Sequence, residues 1–561
     1  MRSLRSSGSV GGRRPAIGPG GPIPEAVKES IMNSHPHPGS CCHCPHHRTP
    51  LAKEPPAIDP FSVKRRDFLT GFSALTVGGF MLASAKTAAA AEYAPQRRPI
   101  VRQTLKVQPV LTYEIPRRRE ATSWRSWGGI QTEEDALKER DWIAAELEKL
   151  KQQAGFPLEF LPVALIKTGQ EATAAAKGDF DVMLIYGAGG SGKLLETLTV
   201  PGKSNLMFLR HSPGPAYLWY EIVSPRFLRK TVDDYGQPGW TPQDVVVDEH
   251  AEILWRLRAL GGLKNTLGKR MVCIGGAGGW GEGGQQAPAI AKQLWKMELV
   301  DYSYQELATR IKAARANAAL VNACNDQATA FLKEAGISLH TSRQFVHNAF
   351  VLTEVFKDVM DELQTDAMTI NSCMGTIMPM SETTACLPLS LLNDAGYQVY
   401  CESDFVVIPS GVLLHAISGL PVFLNDPTYP HDNVVTLAHC TAPRKMDGRT
   451  CEPAKILTHF ESDYGAAPKV EMKIGQVCTN LVPDFASKKW LGFAGTIEAN
   501  PFLEICRSQI DVRIHGDSEL LMEQMKGFHW MMAYGDYLRE CNYALKKVGV
   551  GFFNLSAKKP A

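Results

Sequence analysis

The sequence predicts a mixed α/β protein: two Rossmann-like parallel α/β domains followed by a mixed, β-rich, barrel-like C-terminal domain. Three observations lead there. Before Ala395, short apolar runs of strand length alternate with amphipathic helical stretches, the pattern of a parallel sheet flanked by helices. A glycine pair, Gly261-Gly262, divides that alternating part in two. From about Ala395 the pattern turns to short β-type segments punctuated by Pro and Gly.

Taken in order, Thr132–Gln153 reads as an amphipathic helix, because Leu137, Trp142, Ile143, Leu147 and Leu150 recur at helical spacing. Phe180–Tyr186 and Asn205–Leu209 are continuous apolar runs of the buried-strand type. His250–Leu260 reads as a helix that leads to Gly261-Gly262, set as a domain border. The second unit opens with the strand Arg270–Ile274. Gln285–Trp295 and Tyr304–Ala316 follow as helices, and Ala318–Asn322 reads as a strand. In the last region Pro421–Leu424, Val434–His439, Lys469–Ile474 and Leu491–Glu498 read as strands, with a late helix over Glu519–Lys526. The organisation is then a leader extension over 1–62, a signal segment over 63–91, α/β domains over 92–262 and 263–394, and the β-rich domain over 395–561.

Two glycine-rich loops invite a nucleotide. Gly187-Ala188-Gly189-Gly190-Ser191-Gly192-Lys193 follows a strand, but Leu194 stands where a phosphate-binding loop needs a hydroxyl for Mg²⁺. Gly276-Ala277-Gly278-Gly279-Trp280-Gly281 follows Ile274 and has dinucleotide spacing. Trp280 is bulky where a pyrophosphate must approach, and Glu282 adds negative charge. We therefore expect no nucleotide and read this loop as one at the mouth of a ligand site.

The N-terminal segment carries an address. Lys64-Arg65-Arg66-Asp67-Phe68-Leu69-Thr70 has the twin-arginine export pattern, followed by a mildly apolar stretch to Ala85 and an alanine run ending at Ala91. Arg65 and Arg66 imply the twin-arginine translocation machinery as a partner and a periplasmic or other extracytoplasmic destination. Residues 1–62 are rich in Pro, Gly, Ser and His, a composition expected to be disordered. Within them, Cys41-Cys42-His43-Cys44-Pro45-His46-His47 lacks a second ligand pair at zinc-site spacing. With 561 residues, a net charge of +2 and 21% charged residues, the chain has no basic excess that would draw nucleic acid. Its thirteen cysteines show no close-spaced disulfide framework, which suits a protein folded in a reducing cytosol before export.

The most informative residues lie in the C-terminal half. Cys401-Glu402-Ser403-Asp404 puts two carboxylates between the apolar runs Tyr397–Tyr400 and Phe405–Ile408. A carboxylate entering apolar surroundings must be protonated, paired or bound to metal. Far downstream, His529 precedes Tyr534-Gly535-Asp536, and upstream Glu382 lies in the polar gap Met380–Thr384. Glu382, Asp404 and His529 together would form an oxygen-rich site suited to Mn²⁺ or Mg²⁺. A single Glu, Asp or His is more often a surface group or a structural hydrogen-bonder. Of the neighbours His439-Cys440, strand alternation turns only one toward a site, and we read His439 as site-lining and Cys440 as packing.

The run from Glu402 through Leu413-Leu414-His415, Ser418-Gly419, Asp426 and Ala438-His439-Cys440 resembles the L-fucose isomerase and L-arabinose isomerase superfamily, as do Cys506-Arg507-Ser508-Gln509 and His529 to Asp536. The likeness covers roughly residues 265–561. It implies one Mn²⁺ bound by a Glu, an Asp and a late His, which fall on Glu382, Asp404 and His529. Ser403 replaces the Asn usual in fucose isomerases proper. The resemblance implies a metal-dependent aldose–ketose isomerase working through an enediol, with Glu382 and Asp404 as the acid–base carboxylates. Glu402, His439, Trp280 and Tyr534 would line the sugar, and the assembly would be a homo-oligomer. An NAD(P)-dependent oxidoreductase and a non-catalytic periplasmic sugar-binding protein are the competing expectations.

Overall fold

The computed structural model describes residues 100, 102–217 and 227–557. The leader, the Cys41–His47 tract and the Arg65-Arg66 signal lie outside the described residues. Among the described residues, no helix is long and apolar enough to cross a membrane.

The first sheet is wholly parallel. β1 (Leu105–Thr112) lies centrally, with β2 (Leu158–Phe160) and β3 (Ala164–Ile166) sharing one edge. β4 (Val182–Gly187), β5 (Ser204–Leu209) and β6 (Val245–Val247) extend from the other. β4 is buried along its whole length, as a strand covered by helices on both faces must be. The helix Glu133–Gln153 starts at a capping box, Thr132 accepting from the Asp135 amide while Asp135 reaches back, and buries Ile143, Leu147 and Leu150.

The second sheet, also parallel, has the order β11-β10-β7-β8, with β7 Arg270–Ile274, β8 Glu298–Tyr302, β10 Ala367–Ile370 and β11 Gln398–Tyr400. A small sheet joins β9 (Ile337–Leu339) to β14 (Ala454–Leu457) and β15 (Ala467–Val470).

The C-terminal region is a closed barrel of six antiparallel strands. β12 (Phe423–Pro427), β13 (Val434–His439), β16 (Val477–Val482), β17 (Lys489–Ala499), β18 (Ser508–Ile514) and β19 (Trp530–Tyr534) follow the order β16-β19-β12-β13-β18-β17, and β17 pairs back to β16. β20 (Gly551–Asn554) adds to β17 in parallel. Phe423, Leu437, Phe493, Val512, Trp530 and Met532 are fully buried in one apolar cluster, so this is a packed core and not a pore.

The predicted fold class is therefore the observed one, with local corrections. Ala318–Asn322 is not a strand but the start of the helix Ala318–Phe331. Asn317 caps it by accepting from the Leu320 amide, and Leu320, Cys324, Ala328 and Phe331 bury one helical face. Gly261-Gly262 does not interrupt the chain either, since both lie inside the helix His250–Thr266. A Cβ on Gly262 would lie 2.3 Å from Ile417 Cγ1, so the glycine is there to let this helix approach the helix Ile408–Ser418.

Candidate metal centre

The centre lies where the carboxyl end of the second sheet meets one rim of the barrel. In open α/β sheets, that end of the strands is where ligands gather. Leaving β11, the chain turns through Glu402 and Ser403, both at positive φ, 65° and 51°. Left-handed backbone is uncommon without glycine and marks a turn held by its surroundings.

What holds it is the glycine-rich loop after β7. The Gly278 amide donates to Ser403 O at 3.2 Å, the Phe405 amide to Gly278 O at 3.0 Å, and Ser403 Oγ to Gly276 O at 2.8 Å. The Trp280 amide completes the clasp by donating to Asp404 Oδ1 at 3.3 Å. The amides that a pyrophosphate would need at Gly278 and Trp280 are thus engaged with the acidic turn.

The barrel supplies the rest. β12 lies between β19 and β13, with Asn425 opposite Trp530 and Asp426 opposite Ala438. Those registers bring Asp426, His439 and His529 to one rim. His529 is buried, its Nδ1 2.8 Å from Asp404 Oδ2 and its Nε2 3.3 Å from Glu402 Oε2 and 3.2 Å from Asp426 Oδ1. His439 places Nε2 3.5 Å from Glu402 Oε1 and Nδ1 3.0 Å from Thr441 Oγ1. Trp280 packs edge-on to His529.

Charge in this cluster is strongly displaced. Burial would raise the Glu402 pKa, but the imidazoles of His439 and His529 overcome it and hold the carboxylate well below its usual range. Burial would likewise lower His529, yet hydrogen bonds to Asp404 and Glu402 drive it well above 6.5. Burial pushes Asp426 up, and only the two imidazoles oppose this. Three carboxylates therefore surround one imidazole in a largely water-excluded place and require positive charge there.

A divalent ion fits that requirement. A Glu402 oxygen and ring nitrogens of His439 and His529 lie within 4.8 Å of one another. His439 Nε2 is buried and makes no close hydrogen bond among the described residues, with Glu402 Oε1 standing off at 3.5 Å. Two imidazoles with one carboxylate form a mixed nitrogen–oxygen donor set, which is poorly suited to Mg²⁺ with its preference for oxygen throughout. Asp404 holds the far ring nitrogen of His529, and its other oxygen is taken by the Trp280 and Val406 amides. That is the outer partner that orients a ligating imidazole.

This redistributes the expected roles. Glu382 is absent from the cluster: it caps the helix Cys373–Ser381, its side chain is 60% exposed, and it pairs with Arg315 at 2.7 Å. Asp404 and His529 do meet, but with Asp404 behind the imidazole. Glu402 and His439, expected to line a sugar, have the ligand geometry. Tyr534 is set in the barrel core and donates to Glu452 at 2.7 Å, away from the sugar role expected of it. Asp426 was named in the likeness but given no role; its signal was an acid closing the apolar run Val422–Leu424. No protein-family model matches the chain, and no curated protein shows significant similarity to it.

Proposed function

We propose that the protein is a metal-dependent aldose–ketose isomerase that moves a proton between C1 and C2 of a sugar through an enediol. The observation that carries this reading is the convergence of Glu402, His439 and His529, whose ligand atoms lie within 4.8 Å of one another. The likeness of Glu402–Cys440 and His529–Asp536 to sugar isomerases supports the same reaction class.

Glu402, His439 and His529 would hold the ion. A bound Mn²⁺ supplies a Lewis acid for the two sugar oxygens on which charge develops. Asp404 keeps His529 in one orientation, with Nδ1–H held, so that Nε2 faces the centre. Asp426 is the proton carrier in this reading. Its side chain is 30% exposed, so it can reach a substrate, and burial has already raised its pKa toward that of an effective base. It takes the carbon-bound proton and returns it to the neighbouring carbon, replacing Glu382 in the role expected from sequence. Trp280 walls the imidazole against water.

The test is a panel of aldoses and ketoses incubated in D₂O with the Mn²⁺-loaded protein, followed by NMR. Solvent deuterium at C1 or C2 is expected. Turnover with full retention of hydrogen would remove Asp426 as proton carrier. Tight sugar binding without turnover would make this a sugar-binding protein, and a co-purifying dinucleotide would make it an oxidoreductase. We further infer export by the twin-arginine route, on Arg65 and Arg66 alone, and expect a homo-oligomer as in the family resembled. Cell fractionation of the double Lys variant tests the first and light scattering the second.

A further inference from the structure

β13 ends at His439, and Cys440, of different chemistry, follows it directly. Strand alternation sends His439 toward the acidic turn and Cys440 to the other face. There Cys440 shares a small buried cluster with Cys386 and Cys506. Cys386 opens the helix Cys386–Asp394, Cys506 lies just before β18, and His459 lies in the loop between β14 and β15. Three of the five buried residues in this small apolar cluster are cysteines.

The Cys386 and Cys440 sulfurs and a His459 ring nitrogen lie within 4.8 Å of one another. His459 is 3% exposed, and its Nδ1 is buried without a hydrogen-bond partner among the described residues. Packing explains three small thiols in a core. It does not explain an unpartnered imidazole nitrogen beside them, since buried polar atoms are nearly always satisfied.

We propose that Cys386, Cys440 and His459, with Cys506 adjoining as the fourth donor, bind one thiolate-preferring divalent cation, for which Zn²⁺ is the reference ion. In a tetrahedral zinc site, bonds of about 2.3 Å to sulfur place neighbouring sulfurs roughly 3.8 Å apart, so the present spread closes with small movements. Each coordinating thiol releases its proton to solvent as the thiolate binds. Closure of the fourth position by Cys506, which shares the buried cluster, would leave no place for water and make the site structural. It ties together the end of β13, the start of one helix and two loops, and fixes the backbone that carries His439. The site is chemically distinct from the harder Glu402–His439–His529 centre, which would take Mn²⁺.

The experiment uses the full chain purified under reducing conditions, with zinc counted by mass spectrometry and Co²⁺ as a spectroscopic substitute. Wild type should hold about one Zn²⁺ per chain that survives gel filtration, and Co²⁺ should give an intense thiolate charge-transfer band. Glu402→Gln, which impairs the other centre, should keep both signals, as should Cys451→Ser at the one exposed cysteine among the described residues. Cys440→Ser and His459→Gln should lose the zinc. A wild-type protein whose Co²⁺ spectrum lacks a thiolate band overturns the proposal, whatever the variants do. So does a folded His459→Gln that retains full zinc, or a Cys386–Cys440 disulfide in the reduced preparation.

Discussion

Glu382 closes the helix Cys373–Ser381 and Glu402 follows strand β11, and both hold left-handed φ values, 50° and 65°. Both stand in short polar gaps bordered by apolar chain. Their side chains nevertheless end in opposite environments. Glu382 reaches solvent and a single guanidinium, Arg315. Glu402 turns inward to two imidazoles. The difference lies in the element each one leaves. A helix end can project anywhere on the surface, whereas the carboxyl end of a strand in a parallel sheet opens onto the crevice where such folds bind ligands. Here the barrel rim closes that crevice. Position in the sheet decides which carboxylate meets the imidazoles, and local sequence does not.

The largest expected effect separates the two glutamates directly. Glu402→Gln should abolish stoichiometric Mn²⁺ binding, because a neutral amide is a weak ligand for this ion. Glu382→Gln should leave metal content unchanged. Equilibrium dialysis with Mn²⁺ measures both. Equal losses would restore Glu382 as a ligand and erase the contrast. Asp404→Asn comes next. If Asp404 acts through His529, the variant keeps a bound ion whose affinity falls by about 10–100-fold; complete loss would return Asp404 to direct ligation.

How far the sequence announced this follows from the same contrast. Sheets and barrel were legible because buried strands need apolar runs and turns need Gly and Pro, both local properties. The acidic turn was legible as a place where charge meets apolar chain. Its division of labour was not. Whether Glu402 or Asp404 joins the two imidazoles in the ligand cluster depends on left-handed Glu402 and Ser403 and on amides from Gly278 and Trp280, more than 120 residues upstream. Glu382 was expected as a ligand because it lies in the polar gap Met380–Thr384, and a polar gap does not record that Arg315 pairs with it at the surface. Gly261-Gly262 misled for a related reason. Glycine pairs usually break elements, but here the missing side chains serve a helix crossing.

Acidity gives the third test. In the metal-free protein, Glu402 is lowered from 4.5, so its contribution to stability is present above pH 4.5 and fades as the pH falls through its folded value. His529 is raised from 6.5, so its contribution is complete below pH 6.5 and fades as the pH rises through its folded value. The pairing is thus most effective between these two limits. Melting curves of wild type and Glu402→Gln should converge as the pH falls from 4.5 toward the lowered folded value of Glu402, while Glu382→Gln should track wild type throughout. A Glu382→Gln profile that converges in the same window would place both carboxylates in one titrating network.

The smallest effect is also the sharpest, because one substitution should have opposite consequences at the two positions. Glycine adopts left-handed backbone at no steric cost, whereas a side chain there costs of order 1 kcal/mol. Glu382→Gly removes that cost and supplies the residue preferred just past a helix end. It gives up the pair with Arg315, which at 60% side-chain exposure is worth only about 0–1 kcal/mol. The bond from Asn348 to the Glu382 carbonyl survives, since it uses backbone. Denaturant unfolding should therefore find Glu382→Gly unchanged or stabilised by up to about 1 kcal/mol, with metal content intact. Glu402→Gly gains the same backbone relief but removes the carboxylate that two imidazoles face, so it should lose the ion. A Glu382→Gly variant destabilised by more than about 2 kcal/mol, or depleted of metal, would show that the exposed glutamate matters beyond its helix end.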